Sequence, residues 1–175
     1  YLFEIDANFQ IVRKIQLFSL DELVGKRIPK AKKPDFEALE IIDNKELIIF
    51  GSGSKSPQRN LFIRIHLDSM EIKKTDISLF YEKLKSIPEM KDVELNIEAT
   101  SYKDGFLHLY NRANNLLLRF NYAYFIDFVE NQGTWSKPKA FSFSLPKINN
   151  IESKFSGATV LDNTPFILFT SSVED

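Results

Sequence analysis

One strand–turn–strand pattern occurs three times along this chain, and no other feature restricts the fold as strongly. The copies are DFEALEIIDNKELIIFGSGS (35–54), LNIEATSYKDGFLHLYNRAN (95–114) and KFSGATVLDNTPFILFTSSVED (154–175). Each carries an alanine in its first strand (Ala38, Ala99, Ala158), a polar turn, and an apolar strand that reaches Phe50, Tyr110 or Phe169. Glu37 and Glu98 stand in one register, and Gly157 takes that place in the third copy. Further strand-like segments follow the first two copies, so a unit of about 40–60 residues holds four strands, the pattern of a β-propeller blade. A lone twisted four-stranded sheet buries neither face. Radial stacking of several sheets covers both, with large aromatic side chains between them. The chain supplies these in quantity, with 16 Phe and 6 Tyr.

The remaining segments fit that frame. YLFEIDANFQIVRKIQL reads as two short strands about an Asp6-Ala7-Asn8 turn. Ser19 and Glu22 have capping-box spacing and predict a helical turn. GKRIPKAKKP (25–34) is a basic, proline-containing solvated loop. NLFIRIHLD (60–68) alternates as a strand. In DISLFYEKLKSIPEM, Ile77, Phe80, Tyr81 and Leu84 recur at helical spacing and Pro88 closes the run, which predicts a short inserted helix near 76–88. LLLRFNYAYFIDFV reads as one long strand, with Leu116, Leu118, Phe120, Tyr122, Tyr124, Ile126 and Phe128 on one face. WSKPKAFSFSLP follows as an outer strand. Taken alone, PDFEALE has helix formers and Pro34 near its start. Its counterparts NIEATSY and SGATVLD are poor in helix formers, which favours a strand.

The expected fold is therefore all-β, a β-propeller or part of one, with the short inserted helix near 76–88. Its units run roughly 1–34 (partial), 35–95, 96–154 and 155–175 (partial). The abrupt start on YLFEID, without Met, reads as a piece of a longer chain. Basic and acidic residues nearly cancel, 23 against 24, which argues against a nucleic-acid partner. No apolar run approaches the ~18 residues of a membrane span. The absence of cysteine removes disulfides and thiolate metal sites.

Several of these segments also resemble an uncharacterised bacterial β-propeller family (DUF6929-like). The matching stretches are Asp35–Leu39 with Gly51–Arg59, Asn96–Thr100 with Asn111–Asn114, and Ser156–Leu161 with Ser172–Asp175. The resemblance covers nearly the whole chain. It implies a five- to six-bladed propeller of which this chain holds about three blades' worth, distantly similar to the esterase-like phytase and SdiA-regulated propellers. In those, an acidic motif at a strand start faces the central channel near a calcium ion. Ala99 and Ala113 stand where that pattern has glycine. No activity comes with the family.

Candidate site residues follow from the repeat. Asp35, Glu37 and Glu98, with Glu174 in the third tail, are placed to offer oxygens to a hard cation such as calcium at one channel mouth, or to hold a basic partner. The bland alternative is that these acids pair with arginines between blades. Arg59 with Asn60, and Arg112 with Asn114, form an expected rim for a small anionic ligand such as a phosphate ester. The same arginines serve equally as structural locks on Glu37 and Glu98. GSGSKS (51–56) fails the phosphate-loop pattern, because Ser54 precedes Lys55 and a strand follows. His66 and His108 are the two histidines, without zinc-site spacing, and no G-x-S-x-G nucleophile elbow occurs. The leading expectation is a binding propeller for a small anionic ligand, a metal ion or a protein partner. A calcium-assisted phosphoesterase- or lactonase-like hydrolase and a purely structural interaction module are the alternatives.

Overall fold

The structure is a computed structural model that describes every residue except Lys26, Asp162, Glu174 and Asp175. It divides into two compact units, Tyr1–Lys33 and Pro34–Asp175. The first holds an antiparallel pair, β1 (Leu2–Ile5) and β2 (Ile11–Ile15). Its turn is set by Asp6, whose Oδ1 accepts from the amides of Asn8 and Gln10 at 2.8 and 2.9 Å. The expected helical turn is a 3-10 turn, Leu20–Glu22, where the Ser19 amide donates to Glu22 Oε2 at 2.8 Å.

The second unit is built from two four-stranded antiparallel meanders. The first runs β3 (Phe36–Ile42), β4 (Glu46–Gly51), β5 (Leu61–His66) and β6 (Ile72–Asp76). Helix α1 (Ser78–Lys85) follows, burying Phe80, Tyr81 and Leu84 as the helical spacing predicts. The second meander is β7 (Ile97–Lys103), β8 (Phe106–Asn111), β9 (Leu116–Asn121) and β10 (Lys139–Ser142), with helix α2 (Tyr122–Asn131) between β9 and β10. A small hairpin, β11 (Lys147–Ile148) and β12 (Ile151–Glu152), leads to a two-stranded sheet, β13 (Lys154–Val160) and β14 (Ile167–Ser172). The β3–β4 turn is made by Asp43 and Asn44 at φ 49° and 56°, and the β7–β8 turn by Asp104 and Gly105 at φ 50° and 80°. Two positive-φ residues in sequence match the strand twist of a tight hairpin. The first strands β3, β7 and β13 lie side by side, with β7 in the middle.

Residues 122–128 differ from expectation. They form the start of α2, not the end of a strand. Asn121 turns the chain, its Oδ1 accepting from the Tyr124 amide at 3.1 Å. The run NYAYFIDFV is apolar enough to satisfy period two and period 3.6 together, and burial decides between them. Tyr122 and Phe125 go inside at helical spacing, while Tyr124, expected inside, is 62% exposed.

The third copy differs by one residue. Ala38 faces Phe50 across β3–β4 and Ala99 faces Tyr110 across β7–β8, each directly after a bulge at Glu37 or Glu98. In β13 the bulge falls at Ser156, so Gly157, paired with Thr170, is the counterpart of those alanines. A one-residue slip exchanges the faces of a strand. Phe169 accordingly points back to the second meander, its ring 5.1 Å from Phe155 and 5.6 Å from Phe143.

The main core lies between the two meanders and the helices. Phe50, Phe62, Phe80 and Phe125 form its centre, with ring centroids 4.8 Å apart for Phe50–Phe62 and 4.9 Å for Phe80–Phe125. A smaller cluster of Ala99, Tyr110, Leu117 and Phe155 joins the second meander to the third hairpin. No helix is long and apolar enough to cross a membrane among the described residues.

Candidate functional site

The start of each inner strand is held by the loop that leaves the second strand. The Ser52 amide donates to Asp35 O at 3.1 Å, and the Arg112 amide donates to Asn96 O at 2.8 Å. Ser52 and Arg112 are thus counterparts, as are Asp35 and Asn96. Arg59 is not the counterpart of Arg112, because the loop after β4 is longer than the loop after β8. Gly51 and Gly53 let the longer loop fold tightly. A Cβ on Gly51 would meet Arg59 O at 2.5 Å, and one on Gly53 (φ +72°) would meet Leu95 Cδ2 at 2.7 Å. Tyr81, fully buried, fixes this loop by donating from its hydroxyl to Gly51 O at 2.6 Å. Burial pushes that phenol well above its usual range.

Both predicted rim arginines are engaged. Arg59 Nη1 lies 2.6 Å from Asp35 Oδ2 and donates to Ser54 Oγ at 2.6 Å. Arg112 is buried; its Nη1 donates to Phe155 O at 2.8 Å and to Ser172 Oγ at 3.3 Å, so it ties the second meander to the third hairpin. Glu37 is exposed, and Glu98, half-buried, accepts from Asn96 Nδ2 at 2.8 Å. Both carboxylates stand on bulges, where the strand bends and re-aims a side chain. Glu174 lies outside the described residues.

Asn60 and Asn114 both make hydrogen bonds within the protein. Asn60 O accepts from the Ile77 amide at 2.8 Å, and its Nδ2 donates to Ser56 Oγ and Ser78 Oγ. Its counterpart is Asn115, unnoticed in the sequence, whose O accepts from the Phe143 amide at 3.0 Å and whose Oδ1 accepts from the Phe155 amide at 3.1 Å. Asn114 instead accepts from Asn111 Nδ2 at 2.8 Å and donates to Glu89 O at 3.2 Å. Among the described residues, no group of three or more His, Asp and Glu side chains is placed to hold a metal ion. Ser101 Oγ lies 3.0 Å from Tyr110 OH and 3.5 Å from His108 Nδ1, but all three residues are buried in a sheet interface. Burial also lowers the His108 pKa, so the ring is neutral at pH 7.

A concavity lies at the other end of the inner strands. There the three hairpin turns border a cleft of about 430 Å³, lined by Glu40, Asp43, Tyr102, Lys103, Asp104 and Thr159 among others. Tyr102 spans two turns, its hydroxyl donating to Asp43 Oδ2 at 3.0 Å. Burial and the Asp43 carboxylate both raise that phenol's pKa, which keeps it a donor. Lys103 Nζ donates to Thr164 O at 2.6 Å and so links the β7–β8 turn to the β13–β14 turn. Among the described residues, the cleft lining holds three carboxylates, Glu40, Asp43 and Asp104, and one ammonium, Lys103. The sequence hides this site, because its residues sit on ordinary turns in separate repeats.

The whole chain, residues 1–175, matches a family of unknown function (DUF6929). The chain belongs to that family. A search of the curated proteins finds no match.

Proposed function

We propose that this chain is part of a β-propeller and serves as a binding module, taking up a cationic group in the cleft at the turn ends of its inner strands. Two meanders with adjacent first strands, and a third hairpin continuing the series, support the propeller reading. In that reading the units 35–95 and 96–154 are whole blades, and 1–34 and 155–175 are partial ones. The cleft carries the functional reading. Its volume of about 430 Å³ suits a small molecule or an inserted side chain. Its carboxylate excess favours a lysine or arginine side chain of a protein partner, or a small organic amine. The anionic ligand loses its main support, because Arg59 and Arg112 already hold protein acceptors.

Titration calorimetry with spermidine tests the reading. Binding should weaken with salt, as screening requires, and should fall at least tenfold in an Asp43→Asn, Asp104→Asn double variant. Binding that is indifferent to both changes would reject it. A second reading places a hard cation such as calcium at Glu37 and Glu98, and the matching bulges favour it. A calcium-dependent rise in melting temperature that disappears in Glu98→Gln would support that site, and calcium-assisted hydrolysis would then be worth assaying.

A further inference from the structure

The cleft at the turn ends carries both signs of charge and an apolar wall. The hairpins that border it, β3–β4, β7–β8 and β13–β14, are each paired up to their turns. Its carboxylates lie on different turns. Asp43 stands on the β3–β4 turn and Asp104, exposed, on the β7–β8 turn. Tyr102 donates to Asp43 Oδ2, which leaves Oδ1 for a ligand. Lys103 directly precedes Asp104 and lines the same cleft. Ile41 and Val160 add aliphatic surface.

Lys103 holds a backbone oxygen, Thr164 O, at 2.6 Å. A carbonyl takes one of the three ammonium hydrogens and cancels none of the charge. The ammonium therefore keeps its charge and two hydrogens for an acceptor in the cleft. A plain amine meets that charge only as repulsion. A ligand with a carboxylate beside its ammonium groups turns the same charge into an attraction. The order of the charges suits one carbon that bears both groups. Lys103 and Asp104 are consecutive on one turn, whereas Asp43 sits on the neighbouring turn that Tyr102 reaches.

We infer that the cleft takes a free α-amino acid with a cationic side chain, such as lysine or ornithine. The inference rests on the cation-binding reading of the cleft and adds to it the ligand's anionic group. The α-carboxylate meets Lys103 Nζ, the α-ammonium meets Asp104, and the side-chain ammonium reaches Asp43. The methylene stem lies along Ile41 and Val160, as the stems of long charged side chains lie on apolar surface. A volume of about 430 Å³ falls within the ~300–1,000 Å³ of small-molecule sites. Lys103 thus separates an amino acid from a simple amine, and the second carboxylate separates a basic amino acid from a neutral one.

The test compares calorimetric affinities for L-lysine, for cadaverine, which is lysine without its carboxylate, and for norleucine, which lacks the side-chain ammonium. Lys103→Met should weaken L-lysine about fivefold, the worth of a partly exposed ion pair. The same variant should bind cadaverine as well as the parent does or more tightly, because a repulsive charge has gone. Lys103→Arg keeps the charge and should restore L-lysine binding. Asp104→Asn should weaken L-lysine and cadaverine alike, and norleucine should bind the parent more weakly than L-lysine does. Lys103 is half-buried and Asp104 exposed, so the variants should keep the parent's far-ultraviolet circular dichroism. Equal weakening of L-lysine and cadaverine by Lys103→Met overturns the inference, because Lys103 would then only brace the turns. Norleucine binding as tightly as L-lysine overturns it too. So does binding of spermidine without binding of L-lysine, a result that leaves the cleft as a site for amines. Failure of both ligands removes the cation-binding reading as well.

Discussion

Phe125→Ala separates a helix from a strand at residues 122–128 and measures how much the aromatic centre holds. Phe125 is 3% exposed, and its ring centroid lies 5.7 Å from Phe50, 5.3 Å from Phe62 and 4.9 Å from Phe80. It therefore joins α2 to the first meander and to α1. Truncating a buried phenylalanine costs about 3–5 kcal/mol. The edge-to-face pairs with Phe62 and Phe80 contribute about 0.5–1.5 kcal/mol each, which places the loss in the upper half of that range. With a urea dependence of about 2 kcal/mol per molar, the midpoint should fall by about 2 M. Fluorescence of Trp135, the single tryptophan, reports the transition, because its ring lies 5.7 Å from Phe80 and 5.4 Å from Phe128. Tyr124→Ala is the control. On a strand Tyr124 would share a face with Tyr122, whereas on α2 it is exposed, so its removal should cost no more than about 0.5 kcal/mol. A loss under about 1 kcal/mol for Phe125→Ala, with a larger one for Tyr124→Ala, would refute the helix and the core built on it.

Other perturbations address the loops and the buried polar groups. Gly53→Ala combines a positive φ with a Cβ 2.7 Å from Leu95 and 2.9 Å from Tyr81. It should cost about 1–3 kcal/mol in thermal unfolding, against about 1 kcal/mol for Gly25→Ala, whose φ is also positive but where nothing lies within 4 Å. Tyr81→Phe leaves Gly51 O without its buried donor and should cost about 1–2 kcal/mol by urea denaturation. His108 has a folded pKa below its ordinary 6.5, so the neutral ring is the folded form. Its contribution to stability is therefore complete above pH 6.5 and is lost as pH falls from there through the folded pKa. A nuclear magnetic resonance titration of its ring protons should give a midpoint below 6.5, and one at or above that value would contradict the burial of the ring.

The hairpins are legible in the sequence because alternation and turn chemistry agree there. Asp43-Asn44 and Asp104-Gly105 occupy the positive-φ positions that a tight turn demands. The inserted helix is legible because Pro88 and the spacing of Phe80, Tyr81 and Leu84 leave one period. α2 is hidden because its apolar run fits two periods. The slip in the third copy is hidden because a bulge moves by one residue, from the place of Glu37 and Glu98 to Ser156, and leaves no mark in composition. Pairing Arg59 with Arg112 fails for a related reason, since loops of unequal length bring similar residues to different places. The turn-end cleft requires three turns to meet in space, and periodicity along the chain carries no such information.

The cation-binding cleft is tested most directly by recording amide chemical shifts during separate titrations with spermidine and calcium. The account predicts that spermidine moves the signals of Asp43, Asn44, Asp104 and Asn163 at the turn ends, and that the Asp43→Asn, Asp104→Asn variant loses the response. Spermidine shifts confined to Glu37 and Glu98, or no shifts at all, would contradict it.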